Sequence, residues 1–299
     1  MKILVTGGAG FIGSNLVHDL VNEDYEVIVV DNLSTGSLDN ISDIIDKIKF
    51  IKTSCAEVLK IEELKDLDGI YHYGIPSTTQ LYRDDRSLVG RAVNEFIEIL
   101  ELAKREDCKV VYASSSSVYN GNMPPFHEKM TVHVKDFYTE ARYLMERVAK
   151  LYDDFYGIRS VGFRFFSVYG PREEAKKNFA NLISQFLWDM KKGKSPLIYG
   201  DGTQTRDFTY VDDINCGFKL GMESDIDGDV FNLGTGKCYS LNKLVDILNE
   251  VLDMDIKPVY KKNPIQNYVQ ETLADASKAR EHFGFKPKVH LKEGIGKII

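Results

Sequence analysis

Three glycines near the start of the chain have the spacing of a phosphate-binding turn. The segment Thr6-Gly7-Gly8-Ala9-Gly10-Phe11-Ile12-Gly13 lies between a strand-like run, Lys2-Ile3-Leu4-Val5, and an apolar helical pattern over Phe11–Val21. Glycines at these spacings suit a tight turn, a close backbone approach to a pyrophosphate, and close packing of helix on strand. A helix N-terminus that faces such a turn stabilises an anion. The segment therefore predicts a dinucleotide site.

A carboxylate follows at the end of the second strand-like run. Asp31 stands where it can accept hydrogen bonds from ribose hydroxyls. Its charge would repel a 2′-phosphate, and Asn32-Leu33 supply no arginine to bind one, so NAD is favoured over NADP. The alternative interpretation is a purely structural glycine turn followed by a solvated aspartate.

Two later groups could carry proton chemistry. Ser114-Ser115-Ser116-Ser117 follow the fifth strand-like run, at the carboxyl end where ligands bind in parallel sheets. Tyr138 and Arg142 are spaced i, i+4, so a helix would place them on one face, with the guanidinium within reach of whatever the phenol touches. Taken alone, the serines could form a polar turn, and the pair could be a core-edge tyrosine beside a surface arginine.

Alternating strand and helix patterns must position these groups. The pattern predicts a parallel, doubly wound α/β sheet of the Rossmann type. A long amphipathic helix is predicted over Tyr138–Tyr156, and beyond it the alternation becomes irregular. The expected division is residues 1–166 as an NAD-binding domain and 167–299 as a smaller α/β substrate lobe, with 207–232 returning to the first domain and Arg206–Val211 rejoining the sheet. The runs predicted as strands are Ile3–Thr6, Glu26–Val30, Lys49–Lys52, Gly69–His72, Lys109–Ala113 and Ser160–Phe165.

Composition excludes several classes of protein. The 299 residues are 43% hydrophobic and 28% charged, as is typical of a globular enzyme, and not of a disordered or collagen-like chain. A formal net charge of −7 argues against a nucleic-acid partner. No apolar run approaches the roughly 20 residues that span a bilayer, so no membrane association is expected. Four scattered cysteines, without a CxxC pair or a signal peptide, indicate a reducing, cytoplasmic setting, and no metal site is expected.

Taken together, these motifs resemble the extended short-chain dehydrogenase/reductases, and within them the NAD-dependent nucleotide-sugar epimerases and dehydratases. The resemblance covers nearly the whole chain and rests on several motifs in the family's order. They are Gly7–Gly13, Asp31-Asn32, Val111–Tyr119, Tyr138–Arg142, Arg164–Arg172, Ile198–Asp213, Phe231–Gly236 and Ala274–Gly284.

The resemblance implies roles for individual residues. Tyr138 matches the catalytic tyrosine, and Ser115 matches the residue that shares its proton. Arg142 matches a lysine that normally grips the nicotinamide ribose. Ser54 stands where the family usually has an adenine-binding aspartate. The positions that match NAD-binding residues are Gly7, Gly10, Phe11, Ile12, Asp31, Asn32, Ser34, Thr35, Gly36, Ser54, Cys55, Tyr73, Gly74, Ala113, Tyr138 and Arg142.

A second set matches the nucleotide-sugar site, with Arg206 on the diphosphate. It comprises Ser115, Ser116, Ser167, Asn181, Leu182, Tyr199, Gln204 and Arg206. The implied reaction is inversion at C4 of a UDP-hexose of the UDP-glucose/UDP-galactose type, through a transient 4-keto sugar. A homodimer formed through two helices, one of which contains Tyr138, is also implied.

Departures from the family pattern leave alternatives open. Arginine at 142 remains charged and so can stabilise a phenolate, but it cannot shuttle a proton. A non-catalytic NAD binder therefore remains an alternative. A net oxidoreductase acting on a nucleotide sugar is a third class that stays open. Ser116-Ser117 replace the acid or base that dehydratases and decarboxylases carry there, which favours simple epimerisation.

The sugar and the nucleotide are also open. UDP-glucuronate 4-epimerases are the runner-up, but they carry an arginine for the carboxylate where this chain has Glu174, which would repel it. The family's second diphosphate arginine is replaced by Ile265-Gln266-Asn267-Tyr268, which leaves the UDP assignment open.

Overall fold

The computed structural model describes residues 1–263 and 268–299. Within this part of the chain the strands, in order, are β1 (Lys2–Thr6), β2 (Glu26–Asp31), β3 (Lys49–Lys52), β4 (Gly69–His72), β5 (Lys109–Ser115), β6 (Ser160–Phe165), β7 (Val168–Tyr169), β8 (Leu197–Tyr199), β9 (Thr205–Arg206), β10 (Thr209–Tyr210), β11 (Asp229–Leu233), β12 (Tyr239–Ser240) and β13 (Val259–Lys261). The α-helices are α1 (Phe11–Asn22), α2 (Thr79–Asp84), α3 (Leu88–Glu106), α4 (Phe137–Tyr156), α5 (Leu182–Lys191), α6 (Val211–Glu223), α7 (Leu241–Leu252), α8 (Ser277–Phe283) and α9 (Leu291–Gly296).

A central parallel sheet has the order β11-β6-β5-β4-β1-β2-β3. Its inner strands are buried on both faces, which is why they read as short runs of β-branched residues. The chain builds one half outward from β1 and the other outward from β4. Right-handed crossovers then place α1 and α3 on opposite faces, where α1 packs beside α6 and α3 beside α4. The prediction of a doubly wound α/β sheet is confirmed.

The predicted long helix is present as α4 and begins one residue earlier than expected. Asp136 caps it by accepting a hydrogen bond from the Thr139 amide at 2.8 Å, and Gly157, with φ of +67°, ends it. Such ends follow ordinary capping chemistry. The helix therefore holds Tyr138 in its first turn, at the carboxyl edge of the sheet.

Many of the described residues beyond β6 form a smaller group of elements with its own core. Three two-stranded sheets pair β7 with β10, β9 with β12, and β8 with β13. Helices α5, α7 and α9 contribute to a separate apolar cluster that includes Phe186, Leu187, Leu244, Leu248 and Ile295. This second core faces the carboxyl edge of the central sheet through Phe11, which belongs to it.

The prediction that Arg206–Val211 rejoins the central sheet is wrong. These residues form β9 and β10, which pair with β12 and β7, and the strand that extends the sheet is β11, beside β6. Strands of two residues are too short to show a periodicity of two, so pattern could not separate them from a longer sheet strand. The domain boundaries at 166 and 207–232 stay a prediction.

Asp207 ties three distant segments together between these two groups of elements. Its fully buried carboxylate accepts hydrogen bonds from the amides of Thr235, Gly236 and Ala274, at 2.9–3.0 Å, and from the Thr235 hydroxyl. Burial raises the pKa of this carboxyl, and the four donors oppose that rise.

Candidate active site

The predicted glycine turn has the geometry of an anion cradle. Gly7, with φ of +69°, donates its amide to the Val30 carbonyl at 2.8 Å, and Gly10 donates to the Gly7 carbonyl at 3.0 Å. A side chain at Gly13 would collide with that same carbonyl, so glycine lets α1 approach the turn. Helix α1 has no side-chain cap and no acidic residue in its first turn. Its N-terminal amides are therefore available to a phosphate.

Asp31 ends β2 beside this turn, as predicted. One carboxylate oxygen accepts the Ala9 amide at 3.0 Å and the other accepts the Leu33 amide at 2.7 Å. Burial raises the pKa of Asp31, although these amides partly compensate. Each oxygen keeps a lone pair, which suits a diol such as a ribose.

A cavity of about 470 Å³ runs along the carboxyl edge of the sheet from this turn to α4. It brings together most of the residues that the sequence predicted. Those that line it are Gly7, Gly10, Phe11, Ile12, Asp31, Asn32, Ser34, Thr35, Gly36, Cys55, Tyr73, Gly74, Ala113, Ser115, Ser116, Tyr138, Arg142, Ser167 and Asn181. The switch between the β1 and β4 halves of the sheet is where such a fold places its ligand.

Arg142 lies under the ring of Tyr138. Its guanidinium carbon is 4.9 Å from the ring centroid, while Nη2 donates to the Pro76 carbonyl at 3.0 Å and Nη1 to the Ala113 carbonyl at 3.3 Å. The side chain is almost fully buried, and Nε has no partner within the described residues. The part of the chain that the structure describes places no carboxylate within ion-pair distance of this guanidinium. Arg142 is therefore a buried cation whose neighbours are a phenol and two backbone carbonyls.

One histidine, His72, and one tyrosine, Tyr82, complete the surroundings of the Arg142 cation. Burial, and secondarily the charge of Arg142, lowers the pKa of His72 to about 3, so His72 is neutral. Its Nδ1 pairs with the Thr6 hydroxyl at 2.7 Å. Tyr82 packs edge-on against Tyr138 with ring centroids 5.7 Å apart. The Tyr138 ring is thus held between Arg142 and Tyr82, with its edge exposed to the cavity.

Ser115 ends β5 and accepts the Ser117 amide at 3.1 Å, which orients its hydroxyl. The preceding serine is tied elsewhere, because Ser114 donates to Glu146 at 2.5 Å. Glu146 in turn forms a buried bidentate pair with Arg164, at 2.6 and 2.8 Å. These contacts fix α4 against β5 and β6, and so fix Tyr138 relative to Ser115.

Five predicted residues do not line this cavity. Ser54 turns away and donates to Glu95. The others lie in the smaller group of elements, where Gln204 donates to the Tyr199 carbonyl at 2.7 Å and Arg206 stacks on Tyr268 at 5.1 Å. Burial lowers the pKa of Arg206. The five are Ser54, Leu182, Tyr199, Gln204 and Arg206.

The substrate roles of this smaller cluster stay predictions. Of the segment that replaces the second diphosphate arginine, Ile265, Gln266 and Asn267 lie outside the described residues, and Tyr268 lies within them.

Several lining residues were not predicted. They include Lys176, Arg91 and Glu95. Lys176 pairs with the buried Glu173 at 2.9 Å, in a turn that no periodicity marks. Glu95 could have been found, because it is a charged residue on the apolar face of α3, between Ala92 and Phe96.

The residues present fit a bound NAD molecule. Uncapped helix amides face the place of the pyrophosphate, Asp31 faces that of a ribose, and a side chain at Gly36 would come within 2.7 Å of the Ala9 carbonyl. Within the described residues, no group of three or more potential ligands could hold a metal ion. Over the same ranges, no helix is long and apolar enough to cross a bilayer.

Known proteins resemble this chain over its whole length. Residues 3–234 match the sequence model of the NAD dependent epimerase/dehydratase family. A putative UDP-glucose 4-epimerase of Methanocaldococcus jannaschii is 35% identical, over 99% of this chain and 97% of that protein. The structure of UDP-glucose 4-epimerase from Thermotoga maritima with UDP-glucose superposes with a TM-score of 0.92 at 32% identity, covering 99% of this chain and 97% of that one.

A second solved structure extends the range of substrates among the neighbours. UDP-glucuronic acid 4-epimerase from Bacillus cereus, in complex with UDP-glucuronic acid and NAD, has a TM-score of 0.86 at 28% identity, covering 99% of this chain and 96% of that one.

Proposed function

Because this chain belongs to the NAD-dependent epimerase/dehydratase family, with NAD as its cofactor, we propose that it inverts C4 of a UDP-hexose of the UDP-glucose/UDP-galactose type. The placement of Tyr138 over the buried Arg142, at the edge of the cavity that Ser115 also lines, supports this proposal. A phenol held against a permanent cation is suited to accept and return a proton.

The chain's own residues supply positioning and proton transfer. Tyr138, as phenolate, takes the proton of the sugar 4-hydroxyl and later returns it, and Ser115 shares that proton. Arg142 stabilises the phenolate throughout, since its charge does not titrate. Bound NAD supplies the hydride acceptor and donor for C4. Enclosure of the 4-keto sugar in the cavity would retain it until it is reduced on the other face.

Ser116 and Ser117 support epimerisation over elimination or decarboxylation. Ser116 lines the cavity, and Ser117 has its hydroxyl buried without a partner within the described residues. A serine hydroxyl cannot replace the carboxyl group that acts as general acid or base in elimination.

UDP-glucuronate is a second candidate substrate, favoured by one observation. The sequence argument against it was repulsion by Glu174, but Glu174 is exposed and does not line the cavity, whereas Lys176 does. An ammonium group there could pair with a C6 carboxylate. Glu173 already neutralises this lysine, so we place the neutral hexose first.

Proton NMR of purified protein with UDP-glucose, UDP-N-acetylglucosamine and UDP-glucuronate, separately, tests both activity and substrate. We expect the C4 epimer of UDP-glucose to appear without net NADH, and Tyr138→Phe to slow this by about 10²- to 10⁴-fold while NAD stays bound. Stoichiometric NADH would instead indicate a net oxidoreductase. Turnover that Tyr138→Phe leaves unchanged would contradict the proposal, and no conversion would support a binder.

We also propose a homodimer and a cytoplasmic location. Leu151 and Phe155 on α4 are 50% and 74% exposed, which suits a helix that packs against a second copy. All four cysteines are free, in keeping with a reducing compartment.

A further inference from the structure

Glu95 is a buried carboxylate that the proposed reaction does not use. It lies on α3 with its side chain 7% exposed, among the apolar residues Ala92, Phe96 and Ile99. Burial of a carboxylate is costly unless hydrogen bonds compensate. Yet Glu95 lines the same cavity as Tyr138, at its far end. A charge kept at such a place suggests a ligand group that it recognises.

The partners of Glu95 leave one oxygen available. Oε1 accepts the Ser54 hydroxyl at 2.5 Å and Arg91 Nε at 2.9 Å. Within residues 1–263 and 268–299, no donor reaches Oε2, and this atom keeps some accessible surface. The ion pair with Glu95 raises the pKa of Arg91. Glu95 therefore presents an oriented acceptor with an unused lone pair.

The position of this acceptor matches the adenine end of the cofactor. Asp31, at the end of β2, lies where a ribose is expected, and β3 is the next strand outward. Thr53 and Cys55, which follow β3, line the cavity with Leu88 and Glu95. Burial raises the pKa of Cys55 to about 12, so the thiol is neutral. This part of the cavity wall therefore offers a weakly polar surface on which a flat ring can pack, and one carboxylate oxygen that can accept a hydrogen bond from the edge of that ring.

We propose that Glu95 reads the 6-amino group of adenine and so selects adenine dinucleotides. A carboxylate oxygen only accepts hydrogen bonds, and the 6-amino group donates them. Hypoxanthine carries a carbonyl at that position, which would face the carboxylate oxygen and repel it. A site built around a polar contact discriminates strongly against a ligand that leaves it unpaired. This assignment does not depend on which sugar is turned over.

Competitive displacement of bound NADH, followed by its fluorescence, tests the assignment. The competitors are NAD and nicotinamide hypoxanthine dinucleotide. We expect the native protein to bind NAD at least about 10-fold more tightly, and Glu95→Gln to reduce that ratio to within about 2-fold, because an amide can donate to the hypoxanthine carbonyl. Ser54→Ala keeps the carboxylate and should retain most of the preference.

The outcomes separate recognition from structural support. Thermal unfolding of each variant checks that it folds, and Glu95→Gln is isosteric. A native protein without preference, or a Glu95→Gln variant that keeps the full ratio, would overturn the assignment. Equal weakening of both dinucleotides in Glu95→Gln would also overturn it, since that result describes a residue that merely supports the pocket wall.

Discussion

At the scale of single residues, Arg142 is not equivalent to the lysine that it matches. Its two terminal nitrogens bind the Pro76 and Ala113 carbonyls, which belong to the segments that follow or end β4 and β5. A lysine ammonium is a single point and could not hold both carbonyls in this planar arrangement. Arg142 therefore links the carboxyl ends of the neighbouring strands β4 and β5 while it carries the charge under Tyr138.

Substitution of Arg142 separates these two contributions. We expect Arg142→Lys to lower kcat about 10-fold, since the charge remains but its position loosens, and Arg142→Met to lower kcat by about 10² or more, since the phenolate loses its cation. Epimer formation by NMR gives kcat, and NADH fluorescence checks that NAD still binds. A Met variant with native kcat would show that Tyr138 needs no neighbouring cation.

Asp19 gives the stability of the protein a pH dependence. Burial raises its pKa to about 6, against the lowering effect of Lys219 and His18, while Asp212 and Glu23 add to the rise. The folded state therefore holds this proton more tightly than the unfolded state. The protonated Asp19 carboxyl therefore contributes to the free energy of unfolding. This contribution is complete below about pH 4 and is lost as the pH rises through about 6.

We expect Asp19→Asn to raise the free energy of unfolding by about 1 kcal/mol above pH 7, allowing for partial exposure, and to have little effect at pH 4. Urea unfolding across this range measures the difference. A gain that does not vary with pH would mean that the substitution acts by packing and not through ionisation.

At the scale of elements, the Glu146–Arg164 pair fixes the position of α4 on the central sheet. Arg164 also donates to the Tyr119 hydroxyl at 2.8 Å, which donates to Asn232 at 2.7 Å. The network thus runs from Ser114 on β5, through α4 and β6, to β11. Any rotation of α4 that displaced Tyr138 would have to break it.

Removal of one partner leaves a buried charge. We expect Arg164→Met to destabilise the protein by about 3–5 kcal/mol. On the same helix, Lys150 pairs with Asp154 at 2.6 Å but is largely exposed, so Lys150→Met should cost less than about 1 kcal/mol. Chemical denaturation compares them. Similar losses of stability in the two variants would show that burial does not determine how much the Glu146–Arg164 ion pair contributes to stability.

The sequence allowed the elements of the central sheet to be predicted because each has a strong local signal. The β-branched runs, the glycine turn and the i, i+4 pair of Tyr138 and Arg142 all follow from residue types at fixed spacing. The two-residue strands and the turn that carries Lys176 have no such period. The carbonyl partners of Arg142 depend on which backbone segments meet, and side-chain patterns do not record this.

At the scale of the whole molecule, the cavity lies between two separate apolar cores. Helix α4 packs one face on the central sheet and exposes the opposite face to solvent. Phe137, Leu151, Phe155 and Tyr156 are all largely exposed on that helix. Apolar surface of this kind on a globular protein is typical of an interface.

We expect the double substitution Leu151→Glu and Phe155→Glu to convert a dimer into a monomer, because each buried glutamate would have to be desolvated. Light scattering coupled to size exclusion measures the mass. Met123→Glu is the control, because Met123 lies outside α4 and is 84% exposed, and this variant should stay dimeric. A native protein that is already monomeric would contradict the dimer proposal.

Asp207 also sets the order in which a nascent chain can finish folding. The sheet receives its last strand, β11, by residue 233, yet the buried carboxylate still lacks the amides of Thr235, Gly236 and Ala274. Until the ribosome has released those residues, Asp207 stays solvated or unpaired. A chain cut after residue 234 would therefore keep the seven strands of the central sheet but leave the buried Asp207 carboxylate without the amides of Thr235, Gly236 and Ala274.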